Sequence, residues 1–196
     1  MSDPETLSVY AAKAGEYAEL TRAEAEHPTL QRFIQGVTPG GRVLDLGCGP
    51  GAAAGAMAAA GLQAEAWDPV PEMVALAAAR PGVAARQAGF GDLTGADVYD
   101  GIWANFSMLH TPLADWPDQH RRIATALRPG GMFHIGTKLG TGEARDSIGR
   151  LYSYVTEDTL LGLITDAGLT PDYTTHGREK GLDGVYADWI VVQAHA

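Results

Sequence analysis

The segment VLDLGCGPGAAAG (residues 43–55) constrains the fold of this chain more than any other segment does. Strand-forming residues run directly into three closely spaced glycines, Gly47, Gly49 and Gly51, and a run of alanines follows. Glycine lets a backbone turn tightly and approach a neighbouring group closely. A helix that starts beyond the glycines would present unbonded N–H groups and a positive dipole end to an anion. The segment therefore predicts a strand, a ligand-binding loop and a helix.

Strand and helix patterns alternate along the rest of the chain. The strand patterns cover residues 42–47, 62–67, 84–88, 99–105, 132–138, 169–176 and 189–194. The helix patterns cover residues 5–20, 29–36, 51–60, 71–79, 117–127 and 156–168. LRPGG (127–131) is predicted to be a turn, and 138–150 the longest irregular loop. This alternation predicts an α/β fold with a parallel sheet between helices, and an antiparallel pair formed by the last two strands.

The amino-acid composition and net charge limit the kinds of molecule that the protein is expected to bind. The chain has 196 residues, one cysteine and a formal net charge of −10, and no Lys/Arg cluster is apparent. A single cysteine excludes an internal disulfide framework and a Cys-based zinc site. The acidic balance disfavours nucleic acid, and the N-terminus lacks a signal peptide pattern. We expect a cytoplasmic, single-domain protein, monomeric or homodimeric, that binds a small molecule and neither a metal, a membrane nor a nucleic acid.

Two kinds of ligand fit the glycine loop. Gly47, Gly49 and Ala52 satisfy the dinucleotide pattern G-x-G-x-x-A literally. Asp45, inside the strand, favours another ligand, because a buried carboxylate needs a cationic or hydrogen-bonding partner, such as a ligand ammonium. Asp68, at the end of the second strand, is placed to accept hydrogen bonds from two ribose hydroxyls. Together these features describe an amino-acid nucleoside.

At this point the sequence resembles the class I S-adenosylmethionine-dependent methyltransferases, in particular small bacterial ones. The motifs that carry the resemblance are VLDLGCGPG, WDPVPEMVALA (67–77), YDGIWANFSMLH (99–110) and LRPGG, in the expected order over roughly residues 40–196. The resemblance implies a Rossmann-like, doubly wound sheet of seven strands with order 3-2-1-4-5-7-6, strand 7 being antiparallel. It also implies S-adenosyl-L-methionine as the cofactor.

The resemblance assigns roles to individual positions. Asp68 is expected to bind the ribose, Met73 and Phe90 to lie against the adenine, and 104–106 to line the methionine end. Many relatives carry an aspartate where this chain has Gly89, so backbone groups or Asp92 are the remaining candidates for the adenine amine. The expected cofactor site comprises Tyr17, Asp45, Gly47, Cys48, Gly49, Gly51, Asp68, Pro69, Met73, Gly89, Phe90, Asn105 and Phe106.

The acceptor side is less defined. His110 follows the fourth strand and is the candidate catalytic residue, as a general base, although a substrate contact or a loop histidine with local partners are open alternatives. The remaining substrate candidates are Tyr10, Arg145, Arg150 and Tyr152, with His110 among them as well. Arg150 suits an anionic group.

The expected layout is one domain over 1–196. In it, 1–37 form an N-terminal helical lid that includes Tyr10 and Tyr17, although those tyrosines also fit an ordinary apolar stripe. Residues 38–196 form the cofactor-binding core, with a substrate loop at about 138–155.

The predicted reaction is methyl transfer to a small molecule by direct in-line displacement. An NAD-type oxidoreductase and a non-catalytic S-adenosylmethionine-binding module are the alternatives. The Asn/Asp-Pro-Pro-Tyr signature of amino-group methylation on adenine or glutamine is absent, since the matching place reads NFSM (105–108).

Overall fold

The structure is a computed structural model and describes residues 3–21 and 25–196. Its main element is a seven-stranded sheet in the order β3-β2-β1-β4-β5-β9-β8, and β6 and β7 form a separate two-stranded sheet. The strands are β1 (Arg42–Leu46), β2 (Gln63–Asp68), β3 (Val83–Gln87), β4 (Tyr99–Asn105), β5 (Leu127–Lys138), β6 (Gly142–Arg145), β7 (Leu151–Tyr154), β8 (Thr170–Lys180) and β9 (Tyr186–His195). The helices are α1 (Pro4–Ala12), α2 (Ala14–Leu20), α3 (Pro28–Gly36), α4 (Ala52–Ala59), α5 (Pro71–Ala78), α6 (Trp116–Ala126) and α7 (Glu157–Asp166).

The topology confirms the predicted fold. Strands β1 to β5 pair in parallel, whereas β9 pairs antiparallel with both β5 and β8. Parallel neighbours require a crossover, which the helices supply, and the last pair is joined by a short turn. Counted within the main sheet, the order is 3-2-1-4-5-7-6 with an antiparallel last strand. This is the Rossmann-like fold of class I methyltransferases.

Helices cover both faces of the sheet. Val43 and Trp103 pack with α3 and α4, whereas Leu44 and Ile102 belong to the larger cluster that includes residues of α6 and α7. Successive residues of a strand point to opposite faces, so central strands that are buried on both faces are apolar almost throughout. None of the helices in the described ranges is long and apolar enough to cross a membrane.

Two predicted boundaries differ from the structure. The single helix expected over 5–20 is broken at Lys13, which lies at φ −112° and ψ 15°, outside the helical region. The LRPGG segment is not a separate turn, because β5 already begins at Leu127. Tyr99 pairs with Leu127 and Gly101 pairs with Met132, so the β4–β5 register shifts across this segment. Gly130, within the shift, adopts φ 77°.

The expected irregular loop at 138–150 is wrong in part. Residues of this segment form strand β6, which pairs antiparallel with β7. The side chain of Asp146 accepts hydrogen bonds from the backbone N–H groups of Ile148 and Arg150, and Gly149 adopts φ 95°. A carboxylate that closes a turn on its own backbone is a common way to build a hairpin. We call β6, β7 and their connection the hairpin.

Candidate active site

A cavity of about 380 Å³ lies where the parallel strands end. Asp68, Asn105 and Lys138, the last residues of β2, β4 and β5, all line it, as the glycine loop after β1 does. Open α/β sheets bind ligands at this edge. Further lining residues come from α1, α2, α5, the segments after β3 and β4, the hairpin, β8 and β9; they include Thr6, Leu7, Tyr10, Tyr17, His110, Arg150, Tyr152, Glu179, Lys180 and Trp189.

The glycine loop forms a backbone wall of the cavity. Gly47 and Gly49 adopt φ 78° and 51°, in the left-handed region that favours glycine. A Cβ atom on Gly47 would collide with the side chain of Ser107, and one on Gly49 would meet the Tyr17 ring at 3.3 Å. Backbone groups here therefore approach their neighbours more closely than any side chain would allow. The buried Cys48 donates its thiol to the Gly49 carbonyl at 3.3 Å.

Gly51 has a different role from Gly47 and Gly49. It does not line the cavity, and a Cβ atom there would lie 2.8 Å from the Cβ of Ala77. Its requirement for glycine comes from the packing of α4 against α5, together with φ 72°. The sequence pattern predicts that Gly51 contacts the ligand, but in the structure this glycine packs between helices and does not line the cavity.

Asp45 lines the cavity and already has a protein partner. Its side chain is 2% exposed, and its Oδ2 accepts a hydrogen bond from the backbone N–H of Ala54, at 3.1 Å. Ala54 is the third residue of α4, where backbone N–H groups lack partners within the helix. The carboxylate thus stabilises the start of α4, which weakens the expectation that it depends on a ligand ammonium.

Asp68 is held by two backbone groups. Its Oδ2 accepts from the N–H of Gly49 at 2.9 Å, and its Oδ1 accepts from the N–H of Val70 at 2.8 Å. Burial raises the pKa of Asp68 to about 6, and these two hydrogen bonds oppose the rise. A carboxylate oxygen can accept more than one hydrogen bond, so the side chain can bridge the glycine loop, the start of α5 and a ligand.

The predicted adenine side is assembled from α5 and the segment after β3. Pro69, Met73, Gly89 and Phe90 all line the cavity, and Met73 is 1% exposed. Asp92 does not line it, because its Oδ2 accepts a hydrogen bond from the Gly89 N–H, at 2.8 Å, within a short 3₁₀ turn. The two candidates for binding the adenine amine are Asp92 and nearby backbone groups. Since Asp92 lies outside the cavity, the backbone near Gly89 and Phe90 is the remaining candidate.

The end of β4 carries a strained residue. Phe106 is not a glycine but adopts φ 51°, and its N–H donates to the carbonyl of Gly136 at 2.9 Å. Strain of this kind concentrates at functional sites. Next to it, Asn105 Oδ1 lies 3.0 Å from the Nε2 of His134, whose burial lowers its pKa well below the usual value. The neutral imidazole fixes the orientation of the Asn105 amide.

His110 is part of a buried hydrogen-bond chain. Its Nδ1 lies 2.7 Å from the carbonyl of Leu151, so that nitrogen carries the proton. Its Nε2 therefore accepts, and the Tyr10 hydroxyl donates to it at 2.8 Å. The Tyr10 oxygen accepts in turn from Arg150 Nη1 at 2.9 Å. Burial lowers the pKa of His110 to about 3, so the imidazole is neutral.

Arg150 carries its own counter-ion. Its Nη2 lies 2.7 Å from Asp146 Oδ2, and its Nε donates to the same oxygen at 2.9 Å. The two side chains are 2% and 4% exposed. Arg150 lines the cavity, but Asp146 balances its charge inside the hairpin. In the sequence, only the i, i+4 spacing of the two residues indicates this pairing.

Arg145 lies away from the cavity, which does not support the predicted substrate contact. Its guanidinium donates to both carboxylate oxygens of Asp3, at 2.8 Å each, and to the Gly149 carbonyl. The N–H of Leu151 also donates to Thr6 Oγ1, at 2.8 Å. Together with the Tyr10 contacts, these bonds dock α1 on the hairpin.

The acceptor side also contains aromatic and charged residues, only some of which were expected from the sequence. Tyr152, which was predicted, is 3% exposed with its ring centroid 4.6 Å from that of His110. Lys138, Lys180 and Trp189 also line the cavity, outside the set of site residues expected from the sequence. The position of Lys138 at the end of the fifth strand is a signal that sequence analysis had available and did not use.

Comparison with known proteins agrees with this geometry. Residues 43–131 match the family model described as a methyltransferase domain. No curated protein matches the chain.

Three solved structures illustrate the shared fold. The Burkholderia thailandensis 1,6-didemethyltoxoflavin-N1-methyltransferase, solved with 1,6-didemethyltoxoflavin and S-adenosylhomocysteine, is 24% identical, with TM-score 0.78 and coverage of 97% of this chain and 87% of that one. A Haloferax volcanii protein in complex with the Trm112 methyltransferase activator is 20% identical, with TM-score 0.77 and coverage of 97% and 96%. An S-adenosylmethionine-dependent methyltransferase from Mesorhizobium loti is 22% identical, with TM-score 0.68 and coverage of 88% and 98%.

The family match begins in β1 and spans the glycine loop, Asp68 and the end of β4, the positions around which the cavity is built. Residues 43–131 are thus similar to a methyltransferase domain, and the chain has the fold of S-adenosylmethionine-dependent methyltransferases.

Proposed function

We propose that the protein transfers a methyl group to a small-molecule acceptor by direct in-line displacement. The observation that carries this proposal is the closed acceptor side. Tyr10 of α1 reaches His110 and Arg150 there, while Thr6 and Asp3 tie the same helix to the hairpin. A folded macromolecule has no access to a cavity of about 380 Å³ under such a cover. Pockets of roughly 300–1,000 Å³ suit small ligands.

The chain's own residues fit the cofactor. The close approach of Gly47 and Gly49 leaves backbone beside the ligand, suited to the methionine end, and Asp68 is placed for the ribose hydroxyls. Met73 and Phe90 offer apolar contact to the adenine. When bound, S-adenosylmethionine supplies an electrophilic methyl group on a sulfonium centre. The protein then has to hold the acceptor in line and exclude water, which contributes roughly 7–11 kcal/mol in well-oriented reactions.

His110 is the proposed base for acceptors that lose a proton. The lone pair of its neutral imidazole is on Nε2, the atom to which Tyr10 donates. An acceptor hydroxyl that takes the place of the Tyr10 hydroxyl would meet this lone pair. The lowered pKa of His110, about 3, makes the closed arrangement a weak base. We therefore propose that His110 and Tyr10 chiefly orient the acceptor.

The lid that we propose is shorter than the predicted 1–37. In the described part of that range, α1 and α2 lie over the cavity, whereas Leu30 and Phe33 of α3 are fully buried against the sheet. Helix α3 belongs with the core. The proposed lid is therefore residues 3–21, and the proposed substrate segment is the hairpin.

Similar structures support the proposal in different degrees. The Burkholderia enzyme carries a bound small molecule, 1,6-didemethyltoxoflavin, beside S-adenosylhomocysteine. The Haloferax protein is instead bound to an activator protein. The net charge of −10 and the covered acceptor side favour the first arrangement for this chain.

The test has two parts. Calorimetry with S-adenosylhomocysteine should show saturable binding that Asp68→Ala removes, with Asp92→Ala as the control because Asp92 lies outside the cavity. A transfer screen against metabolite pools, read by S-adenosylhomocysteine release, should then show turnover. Lack of binding contradicts cofactor use at this site, and turnover only with a protein or RNA acceptor contradicts the small-molecule proposal. Titration with reduced nicotinamide cofactor tests the oxidoreductase alternative, which saturable binding of it would favour.

A further inference from the structure

The acceptor side contains a lysine whose surroundings do not balance its charge. Lys138 ends β5, and no carboxylate of a described residue lies within 4.0 Å of its Nζ. The ammonium lies instead over the Tyr152 ring, 3.9 Å from the centroid. Partial burial and the charge of Arg150 lower the pKa of Lys138, whereas the charges of Asp183 and Asp146 oppose this shift. A half-buried ammonium that no nearby carboxylate neutralises favours an anionic ligand beside it.

The neighbours of Lys138 are aromatic. It pairs across the sheet with Trp189, so the two side chains leave the same face of adjacent strands. The Trp189 ring meets Phe106 edge to face, with centroids 6.3 Å apart. All four residues, Lys138, Tyr152, Phe106 and Trp189, line the cavity. We refer to them as the aromatic box.

A second hydrogen-bond donor belongs to the box. The indole Nε1 of Trp189 is buried and has no acceptor among the residues that the structure describes. The nearby guanidinium of Arg150 adds no net charge to the box, because the carboxylate of Asp146 neutralises it. Donors and positive charge thus exceed acceptors within the box, and flat rings form its walls.

The position of the aromatic box along the sheet is suited to a methyl acceptor. Gly136 pairs with Asn105, and Lys138 is two residues further along the same strand. Successive residues in a strand rise about 3.3 Å, so Lys138 lies beyond Asn105 on the ligand side, next to the expected methionine end of the cofactor. If Lys138 binds one end of a flat ligand, the rest of that ligand would lie between the lysine and the glycine loop.

We infer that the methyl acceptor is a planar aromatic or heteroaromatic molecule with an anionic group, and that Lys138 binds that group within the aromatic box. This inference rests on the proposed function and adds the class of substrate. An acceptor that arrives as an anion also reduces the need for a base, which agrees with the weakly basic His110. Lys138 is then a specificity-determining residue.

Equilibrium dialysis of the full chain with saturating S-adenosylhomocysteine tests the inference without any transfer reaction. The probes are 2-naphthoate and 2-naphthamide, which have the same ring system and differ in charge. A charge-assisted hydrogen bond predicts that naphthoate binds at least about tenfold more tightly than the amide. Lys138→Arg should keep this preference. Lys138→Met, which keeps most of the side-chain length, should reduce it to less than about twofold.

The control is Lys13→Met, which removes the same charge from an exposed ion pair with Glu16 outside the cavity. It should keep the preference for naphthoate. Equal binding of the two probes, binding of neither, or a preference that survives in Lys138→Met would overturn the inference. Failure of the proposed function would appear differently, as absence of S-adenosylhomocysteine binding in calorimetry. Thermal unfolding of each variant shows whether it is folded before dialysis.

Discussion

The two ends of the cavity are built in different ways. At the cofactor end, the Gly47–Gly49 backbone and the Asp68 carboxylate belong to loops that directly follow β1 and β2. At the acceptor end, side chains meet from distant parts of the chain: Tyr10 with His110 and Arg150, and Thr6 with Leu151. The first end depends on backbone conformation, and the second on side-chain partners. A local motif can therefore encode the first and not the second.

The comparison predicts which substitutions damage which end. Changes at the acceptor end should reduce stability and lid docking while S-adenosylhomocysteine affinity is preserved. Changes at the cofactor end should reduce that affinity as well.

Arg150→Met is expected to have the largest effect on stability. It leaves Asp146, 4% exposed, without its ion-pair partner. Loss of one partner of a buried ion pair costs about 3–5 kcal/mol. Chemical denaturation should show this loss, while Arg122→Met, which breaks an exposed pair with Asp118, should leave the midpoint nearly unchanged. Equal, small shifts for both variants would contradict the buried pair.

Gly47→Ala should damage the cofactor end. A left-handed alanine costs about 1–2 kcal/mol, and the added Cβ atom would collide with Ser107, at a further cost of about 1–3 kcal/mol for overpacking. Gly40→Ala is the matched control, because Gly40 has φ 72° with open space around it. Thermal unfolding should separate the two variants, and calorimetry should show weaker S-adenosylhomocysteine binding for Gly47→Ala alone.

Tyr10→Phe should destabilise the lid without affecting the cofactor end. It leaves His110 Nε2 without a donor and Arg150 Nη1 without an acceptor, at a cost of about 1–3 kcal/mol. S-adenosylhomocysteine affinity should stay within about twofold, since the ring contact with Tyr17 is retained. A large loss of cofactor affinity with unchanged stability would reverse the assignment of Tyr10 to the acceptor end.

Asp68 predicts a pH dependence at the cofactor end. Ribose hydroxyls donate to the ionised carboxylate, and its pKa is raised by burial from 3.8 to about 6. At pH 5 about a tenth of the carboxylates are ionised, so S-adenosylhomocysteine should bind about tenfold more weakly than at pH 8. Calorimetry at the two pH values measures this, and Asp68→Asn should bind weakly with no such dependence.

The same pKa fixes the sign of the effect on stability. Between pH 4 and 6 the unfolded chain has released the Asp68 proton and the ligand-free folded chain still holds it. The unfolded state then binds fewer protons, so this carboxyl makes the protein less stable as the pH rises through that window. Asp68→Asn should lack this component in denaturation at pH 4 and pH 6, and an identical pH response of both proteins would contradict the raised pKa.

Arg145→Met should have the smallest effect. It removes the exposed contact with Asp3 and leaves the cavity unchanged. We expect unaltered S-adenosylhomocysteine affinity and faster hydrogen exchange in α1, because this contact helps to dock that helix on the hairpin. Weaker transfer to an acceptor with unchanged exchange would instead support the substrate role that the sequence suggests for Arg145.

The sheet and the cofactor end could be predicted from the sequence for physical reasons. Alternating strand and helix patterns permit few topologies, and the family resemblance supplied the strand order. Gly47, Gly49 and Asp68 lie within a short, ordered set of motifs. The helix α7 was also clear, with Thr156 as its N-cap and Gly168 after its end at φ 92°.

The acceptor end could not be predicted, because its partners are far apart in sequence. The bond between Thr6 and Leu151 joins residues 145 positions apart. Asp146 lies four residues from Arg150, yet nothing in the segment ARDSIGR separates a buried ion pair from a solvated loop. The partner of Asp45 is a backbone N–H in α4, and backbone donors leave no trace in residue identity.

A crystal structure with S-adenosylhomocysteine bound tests the division of the cavity most directly. We expect the ribose hydroxyls at Asp68, the adenine between Met73 and Phe90, and the sulfur near Asn105, with the aromatic box beyond the sulfur open to an acceptor. An adenine ring lying between Tyr152 and Trp189 under Lys138 would contradict this expectation, because the two ends of the cavity would then be exchanged.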